Sequence, residues 1–341
     1  MTEHTYISTD PFEFEGGGIL PSIQIRYHTS KEGFHGQKVI WICHALTADS
    51  DPTDWWSEMV GRGKFLDPGE YFIVCCNMLG SCYGSSGPTS INPDTGKPYL
   101  FDFPKVSVRD IVRSQNLVRE SLGIDHIDLM VGSSIGGFQA LEWSIMYPDT
   151  VKNVIFMATL PRVTPWLTAL EESQRMALEA DPTFLEAKDI DGGKRALGCA
   201  RTIALLSYRC EIGYNTKQSE PSEDTLFPER ACSYHRYQGK KFTARFDAYS
   251  YWYLSYSVDS ENVGRGRGGV EKALRSIKAK SWVVSIDTDL IFPAYEMEAF
   301  APFVGENGAP YQMMKSLWGH DGFLLEFEQI KNIMAPILAQ L

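Results

Sequence analysis

The chain has 341 residues, 43% hydrophobic and 12% aromatic, with 32 Lys and Arg against 43 Asp and Glu for a net charge of −11. That length can bury one large core, or about two, without disulfide or metal staples, and the aromatic content excludes disorder over most of it. The negative balance argues against a nucleic-acid groove, which needs a basic surface, and no run approaches the ~18 apolar residues of a membrane span.

Taken in chain order, the first 150 residues alternate strands with helices. The glycines Gly16–Gly18 read as the turn of an N-terminal hairpin. Ile23–His28 alternates like a half-buried strand, while Lys38–Cys43 and Tyr71–Cys76 are continuous apolar runs. Such runs belong to strands covered on both faces, as in a parallel sheet. Val108–Leu122 carries a helical apolar stripe between Ser107 as N-cap and Gly123 as stop. A strand at Ile127–Val131, a Gly/Ser turn, a helix from Ile135 to about Tyr147 and a strand at Val154–Met157 follow. From about Pro161 to Gly269 no strand is expected. Helical stripes fall at Trp166–Ala180, Lys194–Tyr208 and Ala244–Ser257, with polar loops such as Asn215–Asp224 between them. Strands return at Ser281–Ile286 and Tyr311–Met314, with a last helix near Glu326–Leu341. The expectation is an α/β fold. One mostly parallel sheet flanked by helices, residues 1–160 and 271–341, is interrupted by a helical insertion, residues 161–270.

The seven cysteines form no CxxC pair and no Cys/His zinc spacing, so no metal site is expected. Several sit in apolar runs, where free Cys behaves as a small hydrophobe. The opening MTEHTYISTDPFEFE has neither a basic nor an apolar signal region. Reduced, buried thiols in a cytoplasm are therefore expected.

Residues 132–136, Gly-Ser-Ser-Ile-Gly, fit G-x-S-x-G between an apolar strand and an amphipathic helix. In that setting the central serine sits on a sharp strand-to-helix turn that lifts its hydroxyl clear of the sheet. Ser134 is thus the candidate nucleophile; Ser133 lies one place too early. The N–H of Ile135, at the helix start, points where an oxyanion would develop. A serine hydroxyl needs a base, and the base an orienting acid. In this arrangement the order is Ser, then acid, then His, at the ends of later strands. Two acids, Asp287 and Asp289, end the strand at 281–286, and His320 alone among the histidines follows them. Asp289 is preferred because it lies beyond the strand, in a loop closed by Pro293; Asp287 is its rival. The second oxyanion donor should come from the loop after an early strand, here His44-Ala45-Leu46-Thr47, with Leu46 N–H as donor and His44 as a packing residue.

The segments CHALTADSDPTDWW, NMLGSCYGSSGPTSINPDTGKPY, GSSIGGFQALEW, RFDAYSYWYL with VGRGRGG, and SIDTDLIFP with WGHDGF together resemble the homoserine O-acetyltransferase family of methionine biosynthesis. The resemblance implies an α/β-hydrolase core with a helical lid, and a homodimer formed through lid helices. It implies ping-pong transfer from acetyl-CoA, or succinyl-CoA, to L-homoserine, with no bound cofactor and with Ser134, Asp289 and His320 as the triad. It implies that Thr47 lies beside the site, that Arg209 in LLSYR grips the homoserine carboxylate, and that Asp321 holds its ammonium. The elbow reads GSSIGG where the family more often reads GGSMGG, a change that reshapes the acyl pocket. Arg265 and Arg267 in GRGRGG are read as a loop that could touch coenzyme A phosphates, and the aromatic run Tyr249–Tyr256 as helix packing or dimer interface. Serine as acceptor, a plain ester or thioester hydrolase, and a catalytically dead binding module are the alternatives.

Overall fold

The computed structural model describes residues 1–341. Eight strands build the sheet: β1 (Thr2–Ser8), β2 (Ile23–Thr29), β3 (Val39–Cys43), β4 (Phe72–Cys76), β5 (Leu129–Ser133), β6 (Asn153–Met157), β7 (Lys280–Ile286) and β8 (Tyr311–Met314). Their spatial order is β1-β2-β4-β3-β5-β6-β7-β8. β1 and β2 run antiparallel to their neighbours, and every pairing from β4 to β8 is parallel. The expected apolar runs are the central strands. In β3, Val39, Trp41 and Cys43 pack on one face of the sheet, and Ile40 and Ile42 on the other. Both faces are covered, so the sequence shows no alternation. β2 does alternate buried and half-buried residues. β1 was absent from the expected elements: its side chains are mostly half-buried or exposed, so TEHTYIS carries almost no apolar signal.

Helix α1 (Val108–Ser121) opens on a full capping box. The Ser107 hydroxyl accepts the Asp110 N–H, and the Asp110 carboxylate accepts the Ser107 N–H. Helix α2 (Ile135–Met146) follows β5 directly. Trp143 on α2 packs its ring 5.5 Å from Trp41 of β3, both fully buried, which fixes the helix to the sheet.

Between β6 and β7 the chain leaves the sheet and forms helices α3 (Pro165–Glu179), α4 (Lys194–Tyr208), α5 (Glu211–Gln218), α6 (Arg230–Phe242) and α7 (Ala248–Asp259), with a short turn at Pro182–Glu186. Two of these depart from expectation. Asn215–Gln218 is helix rather than loop, because the Cys210 sulfur caps the Gly213 N–H while Glu211 and Lys217 complement the helix dipole at its two ends. α6 was not expected at all; its buried residues are only Gly239 and Phe242, too few for a stripe. Tyr249, Tyr251 and Tyr253 of α7 are buried inside this chain. The final helix, α8 (Phe327–Leu338), returns to the sheet through Ile330, Met334 and Ile337. No helix is long and apolar enough to cross a membrane. All seven cysteines are unpaired, and Cys199 and Cys232, on insertion helices, are exposed rather than buried.

Candidate active site

In open parallel sheets, loops beyond the carboxyl ends of the strands gather into a crevice. Ser134, Asp289 and His320 lie on the loops after β5, β7 and β8. Ser134 has φ 59° and ψ −130°, a region that costs a non-glycine residue on the order of 1–3 kcal/mol. Its surroundings hold it there. Its N–H donates to the carbonyls of Met157 and Ala158, both at 3.1 Å, and its own carbonyl accepts Thr159 Oγ1 at 3.1 Å. The flanking glycines are steric necessities. A Cβ on Gly132 would stand 2.1 Å from the Gly136 carbonyl oxygen, and one on Gly136 2.1 Å from the Cys43 carbonyl oxygen. The start of α2 therefore runs against the end of β3. Ser133 stays in the strand, buried.

That approach brings the two expected oxyanion donors to neighbouring strand ends, since Cys43 pairs with Gly132 in register. Neither the Leu46 N–H nor the Ile135 N–H donates to any group of the protein. His44 is fully buried, and burial pushes its imidazole down to about 4, so it is neutral. Its Nε2 accepts the Met78 N–H at 3.2 Å, which leaves Nδ1 to donate to the Ala45 carbonyl at 2.9 Å. His44 thus braces the loop and does not act as a base. Gln139 was missed at the sequence level. Its amide donates to the carbonyls of His44 and Ile135, each at 3.3 Å, and so ties both donor loops together. Gln115 and Trp143 complete a buried relay behind it. The available signal was a glutamine one turn into the helix, between Phe138 and Ala140.

Of the two acids after β7, Asp289 touches the histidine. Asp289 Oδ2 lies 2.7 Å from His320 Nδ1, and its Oδ1 accepts the N–H groups of Ile291 and Phe292. Asp287 is exposed, accepts the Ser316 N–H and pairs with Lys315. With Asp289 on Nδ1, His320 carries its proton there and offers Nε2 as acceptor. Burial lowers the basicity of His320, but the charge and hydrogen bond of Asp289, with Asp321 beyond, outweigh it and lift the imidazole above the usual histidine range. Tyr208, Phe292 and Phe323 pack around the ring.

Arg209, at the C-terminal end of α4, pairs with Asp321 at 3.0 Å. Its Nε is buried without an acceptor. Burial raises the Asp321 carboxyl, while Arg209 and then His320 pull it back. Thr47 is half-buried beside these loops, and its carbonyl accepts Arg245 Nη1 at 2.6 Å. Arg265 and Arg267 are engaged elsewhere: Arg265 pairs with Glu15 and Arg267 with the buried Glu142, alongside Arg109. The GRGRGG loop is an internal ion-pair knot. Its partners lie 250 and 125 residues away, out of reach of a local motif.

Residues 38–326 match the family model described as the alpha/beta hydrolase fold. The homoserine O-acetyltransferase of Cyclobacterium marinum is 40% identical over 98% of this chain and 94% of its own length. The crystal structure of homoserine O-acetyltransferase from Staphylococcus aureus superposes with a TM-score of 0.81 at 28% identity, covering 99% of this chain and 95% of that one. Esterase E22 superposes at 0.87 with 23% identity, covering 99% of both chains, a likeness of fold alone. With that identity along nearly its whole length, and with this sheet order beneath it, the chain belongs to the homoserine O-acetyltransferase family of the α/β-hydrolase superfamily.

Proposed function

We propose that this protein transfers the acetyl group of acetyl-CoA to the hydroxyl of L-homoserine, through an acyl-enzyme on Ser134. His320 Nε2 takes the Ser134 proton as Oγ attacks the thioester carbonyl. The oxyanion is held by the N–H groups of Leu46 and Ile135. Collapse of the tetrahedral intermediate breaks the C–S bond, and the proton on His320 leaves with the coenzyme A thiol. The homoserine hydroxyl then gives its proton to Nε2 and attacks the acyl-serine. Collapse releases O-acetyl-L-homoserine and returns the proton to Ser134 Oγ. Asp289 stabilises the imidazolium in both halves.

The observation that carries the acceptor is the Arg209–Asp321 pair beside His320. A transferase must favour a dilute alcohol over ~55 M water, and orientation can supply effective molarities of about 10⁵–10⁸ M. That requires handles. Homoserine offers one carboxylate and one ammonium, and here one guanidinium and one carboxylate stand together. The unpartnered Arg209 Nε leaves a donor for the substrate carboxylate, which suits the planar fork of arginine. Because the same fold carries esterases, water is the competitor to test. Purified protein is crossed between acetyl- and succinyl-CoA and homoserine, serine and water, with products identified by mass. O-acetylhomoserine as the dominant product is expected; acetate as the main product with homoserine present would support a hydrolase.

The insertion also suits a dimer of the kind the family resemblance implies. Leu226 and Phe227, between α5 and α6, are 81% and 78% exposed. Light scattering on Phe227→Asp should show a shift toward monomer; an unchanged mass would remove this patch from the interface.

A further inference from the structure

The proposed donor is a polyanion approaching an acidic chain, and the arginines that looked free for it are bound to glutamates. The structure holds another cationic surface. Between α4 and α6 runs a groove of about 430 Å³, lined by Lys194, Arg195, Arg236, Lys240 and His235 and by no acidic residue. Arg195 and Lys240 make no ion pair, and the partners of Lys194 and Arg236 are exposed acids at 3.5 and 3.4 Å. The floor is glycine. A Cβ on Gly239 would stand 2.7 Å from the Gly198 carbonyl oxygen, so the two helix backbones touch and the long cationic side chains rise around the cleft. The His235 Nδ1 is buried without a partner.

Helix α4 links this groove to the site. Its C-terminal end delivers Arg209, and the groove occupies its first two turns and its middle. Residues 195, 198, 202, 206 and 209 follow 3- and 4-residue steps, so they share one helix face. At 1.5 Å per residue, Thr202 lies about 10 Å from Arg209 along the axis and Lys194 about 22 Å. Between them on that face stands Leu206, 60% exposed. The order outward from the site end of α4 is reacting groups, apolar step, cationic cleft. Coenzyme A has the same order: reactive thioester, extended pantetheine arm, nucleotide with a 3′-phosphate and a pyrophosphate.

Resting on the acetyl-CoA reading above, we infer that the α4–α6 groove binds the phosphorylated nucleotide end of coenzyme A, with Arg195 and Lys240 as its principal cations and Leu206 along the path of the arm. Both cations are exposed, so solvent screening keeps each contact modest.

The test compares donors with and without the nucleotide. In the Arg195→Gln/Lys240→Gln double variant the KM for acetyl-CoA should rise about 5- to 30-fold. The KM for the acetyl thioester of N-acetylcysteamine, which lacks the nucleotide, should move less than about twofold, the tenfold-per-1.4-kcal/mol scale making that a negligible contact change. Calorimetry adds a readout independent of turnover: adenosine 3′,5′-bisphosphate should bind the wild-type protein and lose affinity in the variant. Equal KM values for acetyl-CoA in variant and wild type, or unchanged bisphosphate binding, would overturn the groove assignment. A wild-type protein that releases no thiol from acetyl-CoA would instead overturn the donor reading, and the bisphosphate titration would still decide the groove.

Discussion

The carboxyl edge of the sheet, where β3, β5, β7 and β8 end, and the helical insertion hold their functional groups in different ways. At the sheet edge, backbone does the positioning. Ser134 is fixed by two carbonyls and a threonine hydroxyl, Asp289 by two N–H groups, and the donor loops by the Gly136–Cys43 approach. The insertion places side chains instead: Arg209 reaches Asp321 from the end of α4, and Arg195 and Lys240 of the groove stand exposed and without ion pairs on α4 and α6. The comparison teaches a division of labour. On the function proposed above, bond-making geometry is built where the chain has least freedom, and the choice of acceptor falls to side chains brought to it by the insertion and the loop after β8.

The sharpest way to break that division is to strike the edge. Ser134→Ala should abolish the acyl-enzyme and lower turnover by about 10⁴–10⁶ while acceptor and donor groups stay in place. Intact-protein mass after incubation with acetyl-CoA checks it. A retained acetyl adduct would move the nucleophile elsewhere.

A milder blow falls behind the edge. Gln139→Leu loosens the tie between the Leu46 and Ile135 loops without touching the reacting atoms. Removing an oxyanion donor outright costs about 10²–10³, so loss of a positioning residue should cost roughly tenfold. It should slow thiol release and acyl transfer alike, since both pass through the same oxyanion. Stopped-flow measurement of the two half-reactions tests this, and slowing of acyl transfer alone would exclude it.

The smallest effect sharpens the boundary between the regions. His320 must be neutral to act as base, so thiol release should rise with pH through an imidazole value above the ordinary histidine range. Asp321 contributes to that elevation. Asp321→Asn should therefore move the acid limb of thiol release to lower pH, and activity at mildly acid pH should increase relative to the plateau. A pH profile of the acetyl-CoA burst without acceptor reads it; a shift to higher pH would contradict the electrostatic role.

Legibility followed the same line between the regions. The parallel strands, the elbow turn at Ser134 and the meeting of Asp289 with His320 were readable because each sits on a local pattern: an apolar run, a glycine-flanked turn, a strand end. The distinction between Asp287 and Asp289 was readable only as a preference, since it depends on which loop N–H groups each carboxylate accepts. Four features were hidden for physical reasons. β1 is an edge strand with little buried on either face. α6 buries only a glycine and one phenylalanine rather than a stripe. The engagement of Arg265 and Arg267, and the brace formed by Gln139, are long-range pairings that no local window contains. Arg209 and Asp321 came from the family resemblance; composition and periodicity alone would have left them as a helix end and a cap.

The central claim is that the carboxyl edge of the sheet makes and breaks the acyl bond while Arg209 of the insertion, paired with Asp321, selects the acceptor, and Arg209→Ala in a single-turnover experiment tests it most directly. Loss of a charge-assisted contact costs roughly 1.5–3 kcal/mol, or about 10- to 200-fold in efficiency for homoserine. Thiol release from acetyl-CoA should keep its burst rate and amplitude, and the product should shift from O-acetylhomoserine toward acetate, because water needs no handle. Loss of the burst with a normal ratio of O-acetylhomoserine to acetate would contradict the account.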